Sequence, residues 1–421
     1  MCKARRKACV CLAAGAAILI MGFARAEADD LQSGQDFSQI ERGRYLTITA
    51  DCAACHTDPI HNAPFAGGRR IETPFGNVAA ANITPDRDTG IGAWSDAEFD
   101  AALRLGVMPD GKPLYPAMPY PYFTKMTQDD VAAIRAYLNT IAPVHRSVHS
   151  NQLPFPFNIR AAMRFWDVLY FAAGTFTPNS GKSAAWNRGA YLVEGPGHCA
   201  ACHTPKTFLG GDKDDQKFRG YSIQGWFAPD ITNDTARGLG NWSAADIVDY
   251  LKKGHNRFEG ASGPMAEEIS NSSSKMSDRD LNAIAIFLKD QRAEADTGQP
   301  LSPDNALMKA GAAIYQDRCA ACHKADGTGI PYLIPDLAAS SSPASRELTT
   351  LLRVVINGAQ SVATKEEPTS PAMPAFGWQL TDVQIAAVAT YIRNSWGHAA
   401  PAVTAGDVHG ARSSLEHAAA D

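Results

Sequence analysis

Apolar residues recur at steps of three and four in Asp129–Leu138, Asp278–Leu288 and Thr381–Ile392. That spacing predicts three amphipathic helices, each burying one stripe. Their acidic or threonine starts suit the positive end of a helix. Ahead of them lie Gly43-Arg44-Tyr45-Leu46, Gly189-Ala190-Tyr191-Leu192 and a looser version, Gly311-Ala312-Ala313-Ile314-Tyr315. Each fits a short helix whose glycine would let a crossing backbone approach closely. Trp94-Ser95 and Trp242-Ser243 open further helix-like stretches, with serine as the N-cap. Strand-like alternation is almost absent. The same plan recurring three times is internal repetition, and it predicts an all-α protein of three tandem domains. The boundaries fall near 36–145, 182–295 and 303–397, with Thr297–Pro303 as a linker before the third.

Three stretches stand outside this plan. Residues 146–181 connect the first two domains, and within them Ile159–Phe171 is apolar nearly all round, broken only by Arg160, Arg164 and Asp167. Such a helix is expected to be buried between domains. The sharper alternative is a surface that docks on a partner or lies in a membrane interface, since the run is too short to span. Residues 1–26 combine Lys3, Arg5, Arg6 and Lys7 with the apolar run Ala8–Phe23 and Ala24-Arg25-Ala26. This reads as a secretory signal peptide cut after Ala26, the apolar run being short against the ~20 residues of a spanning helix. An uncleaved anchor is the rival reading. The tail 398–421 is rich in small residues and is expected to be disordered, with His398, His409 and His417 solvated.

Chemistry enters with the cysteines. The pentapeptide Cys-Ala-Ala-Cys-His occurs at 52–56, 199–203 and 319–323, once per repeat. C-x-x-C-H is the attachment spacing of c-type haem, in which both sulfurs anchor the porphyrin and the histidine ligates iron. A zinc site would want a second matching pair of ligands, and none is visible. The expected covalent anchors are therefore Cys52, Cys55, Cys199, Cys202, Cys319 and Cys322, holding three haems c. His56, His203 and His323 are the expected proximal ligands. The other three of nine cysteines lie in the leader, so no structural disulfide is expected.

Proline-flanked methionines offer the sixth ligands: Met118 in Tyr115-Pro116-Ala117-Met118-Pro119, Met265 in Gly263-Pro264-Met265, and Met373 in Pro371-Ala372-Met373-Pro374. Proline stiffens the loop that would present the thioether. Histidine and methionine are 62 residues apart in the first two domains and 50 in the third. Met126 and Met276 compete nearby without the Pro-Met context. His255 could serve the second haem, though it reads as a surface residue at a helix end. Without the leader's five basic residues, the charge moves from −5 to −10, 34 basic against 44 acidic. That balance argues against nucleic-acid binding, which needs basic patches.

Up to about residue 397 the chain resembles the tri-haem cytochrome c subunit of bacterial membrane-bound dehydrogenases, the alcohol and gluconate 2-dehydrogenase type. The likeness rests on Thr73-Pro74-Phe75-Gly76, Asn82-Ile83-Thr84-Pro85-Asp86 and Gly90-Ile91-Gly92-Ala93-Trp94-Ser95. Leu114–Tyr120, Leu153-Pro154-Phe155-Pro156-Phe157-Asn158 and Trp186–Gly195 extend it. The resemblance implies three tandem class I cytochrome c domains. It also implies an electron-transfer role: a large catalytic subunit with flavin or pyrroloquinoline quinone (PQQ), and possibly a small third subunit, passes electrons to this chain. Ubiquinone then takes them at the periplasmic side of the inner membrane, to which the chain is expected to attach peripherally. No substrate-oxidising site of its own is expected. The alternatives are a free periplasmic electron shuttle and a multihaem peroxidase.

Overall fold

A computed structural model describes residues 37–61, 63–148, 151–293 and 298–420, the last four as backbone only. The expected signal peptide lies outside these residues. Each repeat is built on one helix crossing. The entering helices cover 37–49, Ala184–Glu194 and Ala306–Arg318, and the closing helices Gln128–Leu138, Asp278–Lys289 and Asp382–Ile392. Glycine is required at the crossings. A Cβ on Gly43 would lie 1.8 Å from the Ala133 carbonyl oxygen. On Gly189 it would lie 1.9 Å from that of Ala283, and on Gly311 2.2 Å from that of Ala387. Interiors packed at crystal density leave no room for that atom.

The closing helices start where the sequence places them. Thr127, Ser277 and Thr381 each accept a backbone N–H at the third helical position, and Ser95 and Ser243 head two more helices with full capping boxes. Separate apolar clusters then fill the domains: Leu46, Phe99 and Ile134 in the first, Leu192, Trp242 and Leu281 in the second, Leu352, Ile385 and Val408 in the third.

The all-α expectation needs correction. Helices dominate, but each domain also carries one short antiparallel pair. These are Arg70–Thr73 with Gly76–Ala79, Arg219–Ile223 with Trp226–Asp230, and Ala359–Gln360 with Ala372–Met373. Pairs this short leave no alternation to read in the sequence.

Two further expectations fail. Helix Met163–Tyr170 is not buried between domains: Trp166 alone is buried, while Phe165 is 66% and Val168 82% exposed. Its inner face is pinned by Trp166 Nε1 donating to Leu209 O (2.8 Å) and by Tyr120 Oη donating to Asp167 (2.5 Å). The tail is not disordered. Residues Ala405–Ala420 form a helix that buries Val408 against the third domain, and Arg412 pairs with Asp382 at 2.6 Å. His398 is buried and lies 2.8 Å from Leu337 O through Nε2, whereas His409 is exposed as expected. Among the described residues, no helix is long and apolar enough to cross a membrane.

Candidate haem-attachment sites

The three Cys-Ala-Ala-Cys-His segments form one-turn helices, Cys52–His56, Ala200–His203 and Ala320–His323. A single turn brings both sulfurs and the imidazole to one side, as attachment across a porphyrin edge requires. All six cysteines are unpaired. Among the described residues, no cluster of three or more His, Cys, Asp or Glu could hold a bare metal ion.

Each histidine is oriented the same way. Nδ1 of His56 lies 2.6 Å from Ala81 O, that of His203 2.7 Å from Pro229 O, and that of His323 3.1 Å from Pro335 O. A carbonyl can only accept, so Nδ1 carries the proton and Nε2 keeps a free lone pair, as ligation of a haem iron would require. Burial pushes all three imidazoles below their ordinary pKa, outweighing the carbonyl that favours the proton, so the neutral form is favoured.

The accepting carbonyls are themselves fixed by a repeated device. The residue after each is Asn82, Asp230 or Asp336. Its side chain accepts the backbone N–H two residues on, from Thr84, Thr232 and Ala338 at 2.9, 2.7 and 3.0 Å. This is an Asx turn, and it holds the preceding carbonyl towards the histidine. The echo of Asn82-Ile83-Thr84 in Asp230-Ile231-Thr232 has its cause here. The third copy, Asp336-Leu337-Ala338, escapes notice because it lacks the threonine and follows its motif at a shorter distance.

The proposed distal methionines occupy three backbone settings. Met118 sits in a tight turn with its N–H bonded to Tyr115 O (3.0 Å), Met265 in the first turn of helix Pro264–Asn271, and Met373 on the short strand paired with Ala359. All three are partly exposed, and Met118 and Met373 lie against the apolar clusters of their domains. Met126 and Met276, by contrast, are sealed inside cores. His255 is not a surface residue. It is buried beneath the third domain, its Nδ1 without a hydrogen-bond partner and its ring 6.4 Å from that of Tyr332.

One-turn Cys-Ala-Ala-Cys-His helices, motif histidines bound to carbonyls and the glycine crossing are together the features of a cytochrome c. The cytochrome c family profile matches residues 40–142, 187–292 and 308–396, so the chain belongs to that family, whose cofactor is covalently bound haem c. Similarity over most of the chain narrows this further. The chain is 38% identical to the gluconate 2-dehydrogenase cytochrome c subunit of Pantoea cypripedii, covering 88% of each. It is 36% identical to the cytochrome c subunit of alcohol dehydrogenase (quinone) of Gluconobacter oxydans (strain 621H), covering 94% of this chain and 86% of the relative. Against the fructose dehydrogenase cytochrome subunit of Gluconobacter japonicus it is 37% identical, covering 87% and 81%. The chain is a member of this family of dehydrogenase cytochrome subunits.

Proposed function

We propose that this chain is the electron-transfer subunit of a membrane-bound dehydrogenase and carries three haems c. They would be held by Cys52 and Cys55, Cys199 and Cys202, and Cys319 and Cys322. The observation that carries the reading is the threefold recurrence of one arrangement, an attachment turn whose histidine is tied through Nδ1 to a fixed carbonyl. His56, His203 and His323 serve as proximal ligands, and Met118, Met265 and Met373 as distal ones. The haems would supply one-electron cycling of iron, at a potential that methionine ligation would raise. The protein's part would be to hold ligands that never need to leave.

The catalytic partner is a large subunit bearing flavin or PQQ, with ubiquinone as the acceptor and the periplasmic face of the inner membrane as the location. The outward side chains of Phe155, Phe165, Val168 and Phe208 support peripheral association there. Mild solubilisation of native membranes tests this reading. A flavin or PQQ dehydrogenase subunit should co-purify stoichiometrically, and its substrate should reduce the haems. Recovery of the chain alone from a salt-washed soluble fraction would replace the reading with the free shuttle.

A further inference from the structure

Domains 1 and 2 meet through contacts that occur twice, once in each direction. Asp130, at the start of domain 1's closing helix, is held by Arg42 of its own domain (2.7 Å) and accepts from Tyr191 Oη of domain 2. Asp280, at the same place in domain 2, is held by Arg188 of its own domain (2.7 and 2.9 Å). It accepts from Tyr45 Oη of domain 1 at 2.7 Å. The tyrosine oxygens also accept the capping residues' backbone N–H groups, Thr127 N at 3.4 Å and Ser277 N at 3.2 Å. Both aspartates are buried. Reciprocal use of the same surface on two copies marks an isologous, two-fold interface.

A second reciprocal pair lies beside the attachment turns. Arg69 donates to Ala54 O of its own motif (2.5 Å) and crosses to Glu267 (2.8 Å), two residues beyond Met265. Lys206 donates to Ala200 O of its own motif (3.0 Å) and crosses to Tyr122 (3.3 Å), four residues beyond Met118. Each cation thus ties one attachment turn to the other domain's methionine segment. Ser272 Oγ adds a bond to Thr49 O at 3.3 Å, and His198, next to Cys199, lies 5.5 Å from Phe123.

The third domain lacks every part of the clasp. At the positions matched by the glycine crossings, Ala310 replaces the arginine, Ala313 the tyrosine and Gln384 the aspartate, and all three are exposed. It joins domain 2 by other means. Phe227 N bonds Thr350 Oγ1 (2.8 Å), Arg353 stacks 4.7 Å over Trp226, and Ser340 Oγ donates to Glu259 (2.5 Å).

Resting on the three-haem reading, we infer that domains 1 and 2 form one pseudo-two-fold di-haem unit. In it the Tyr45–Asp280 and Tyr191–Asp130 clasps position the two attachment turns for direct one-electron exchange, and domain 3 is appended separately. The clasp residues are positioning residues. One electron moves from a reduced to an oxidised centre, and no bond forms or breaks.

The full, haem-loaded chain tests this with Tyr45→Phe/Tyr191→Phe, which removes both crossing hydroxyls and keeps both rings. Asp130→Asn/Asp280→Asn is the stronger variant. Haem content of the unaltered protein is read first: fewer than three covalent haems would defeat the proposed function, not the pairing. Redox titration should then show two haems as an interacting pair and one as an isolated centre. In the variants that interaction should shrink, with the isolated midpoint unmoved. Hydrogen exchange in peptides 45–51 and 272–280 should quicken by about tenfold or more. An unchanged pair interaction in the phenylalanine variant would overturn the inference, as would a shift confined to the isolated haem. If the asparagine variant fails to load haem, the phenylalanine variant alone decides.

Discussion

Replacing Gly189 by alanine sets two effects of opposite sign against each other. In a helix interior, alanine is favoured over glycine by about 1 kcal/mol, so propensity alone predicts a more stable protein. At this crossing the new Cβ would stand 1.9 Å from Ala283 O, 2.5 Å from its carbonyl carbon and 2.9 Å from Phe287 Cβ. Ordinary carbon–oxygen contacts lie near 3.3–3.6 Å, so the two helices would have to part by about 1.5 Å. Overpacking costs ~1–3 kcal/mol, and the upper end applies because the obstacle is backbone. Net of propensity, the loss is about 2 kcal/mol, or roughly thirtyfold in the opening equilibrium of domain 2. Hydrogen exchange localised to Ala184–Glu194 and Asp278–Lys289 measures that opening. Gly410 is the control, since it is helical and a Cβ there meets nothing within 4 Å. Gly410→Ala should slow exchange in its own helix. If Gly189→Ala also slows exchange, the close-approach reasoning is refuted.

Met118→Leu and Met373→Leu should each abolish the methionine–iron absorption of one haem and lower its potential, at less than about 1.5 kcal/mol in packing. Met126→Leu should leave the spectrum unaltered. Burial raises the Glu268 carboxyl to about 7, partly offset by its bond from Ser273. Its native form therefore keeps a proton that the unfolded chain gives up near pH 4.5. Through this group stability should fall by about 3 kcal/mol as pH rises from 4.5 to 7. Glu268→Gln should remove that share of the slope in chemical denaturation, leaving the share of Asp51, whose carboxyl burial raises to about 9. Val408→Asp would bury an unpaired charge against domain 3. It should cost roughly 3 kcal/mol or more, read as faster exchange in Asp382–Ile392.

What could be read from the sequence was what local chemistry dictates. The short turns of the Cys-Ala-Ala-Cys-His pentapeptides, the crossing glycines and the N-caps each need a particular residue at a particular place, so the chain announces them. The echo around Asn82 and Asp230 was visible, but not its purpose, because the carbonyl it aims belongs to the residue before it. Features set by distant packing were hidden. His255 looked like a surface residue, and only the third domain lying over it buries it. The outward face of Met163–Tyr170 has the composition of a core helix, and no local pattern says that nothing covers it. Residues 405–420 read as small and polar, and their helix depends on Val403, Val408 and Arg412 finding domain 3. The clasp left a trace in the tyrosines of the first two repeats and the alanine at the third, though its partners lie in another domain.

Helix Ala405–Ala420 also sets an order of assembly. It completes the apolar cluster that contains Ile385 and Leu352, and Arg412 ties it to the first residue of the closing helix. Domain 3 therefore cannot finish its core until residues beyond 400 have been synthesised and delivered. The reciprocal clasp of the first two domains is complete by Asp280, more than a hundred residues earlier. As the chain emerges N-terminus first, domains 1 and 2 can close while domain 3 is still arriving.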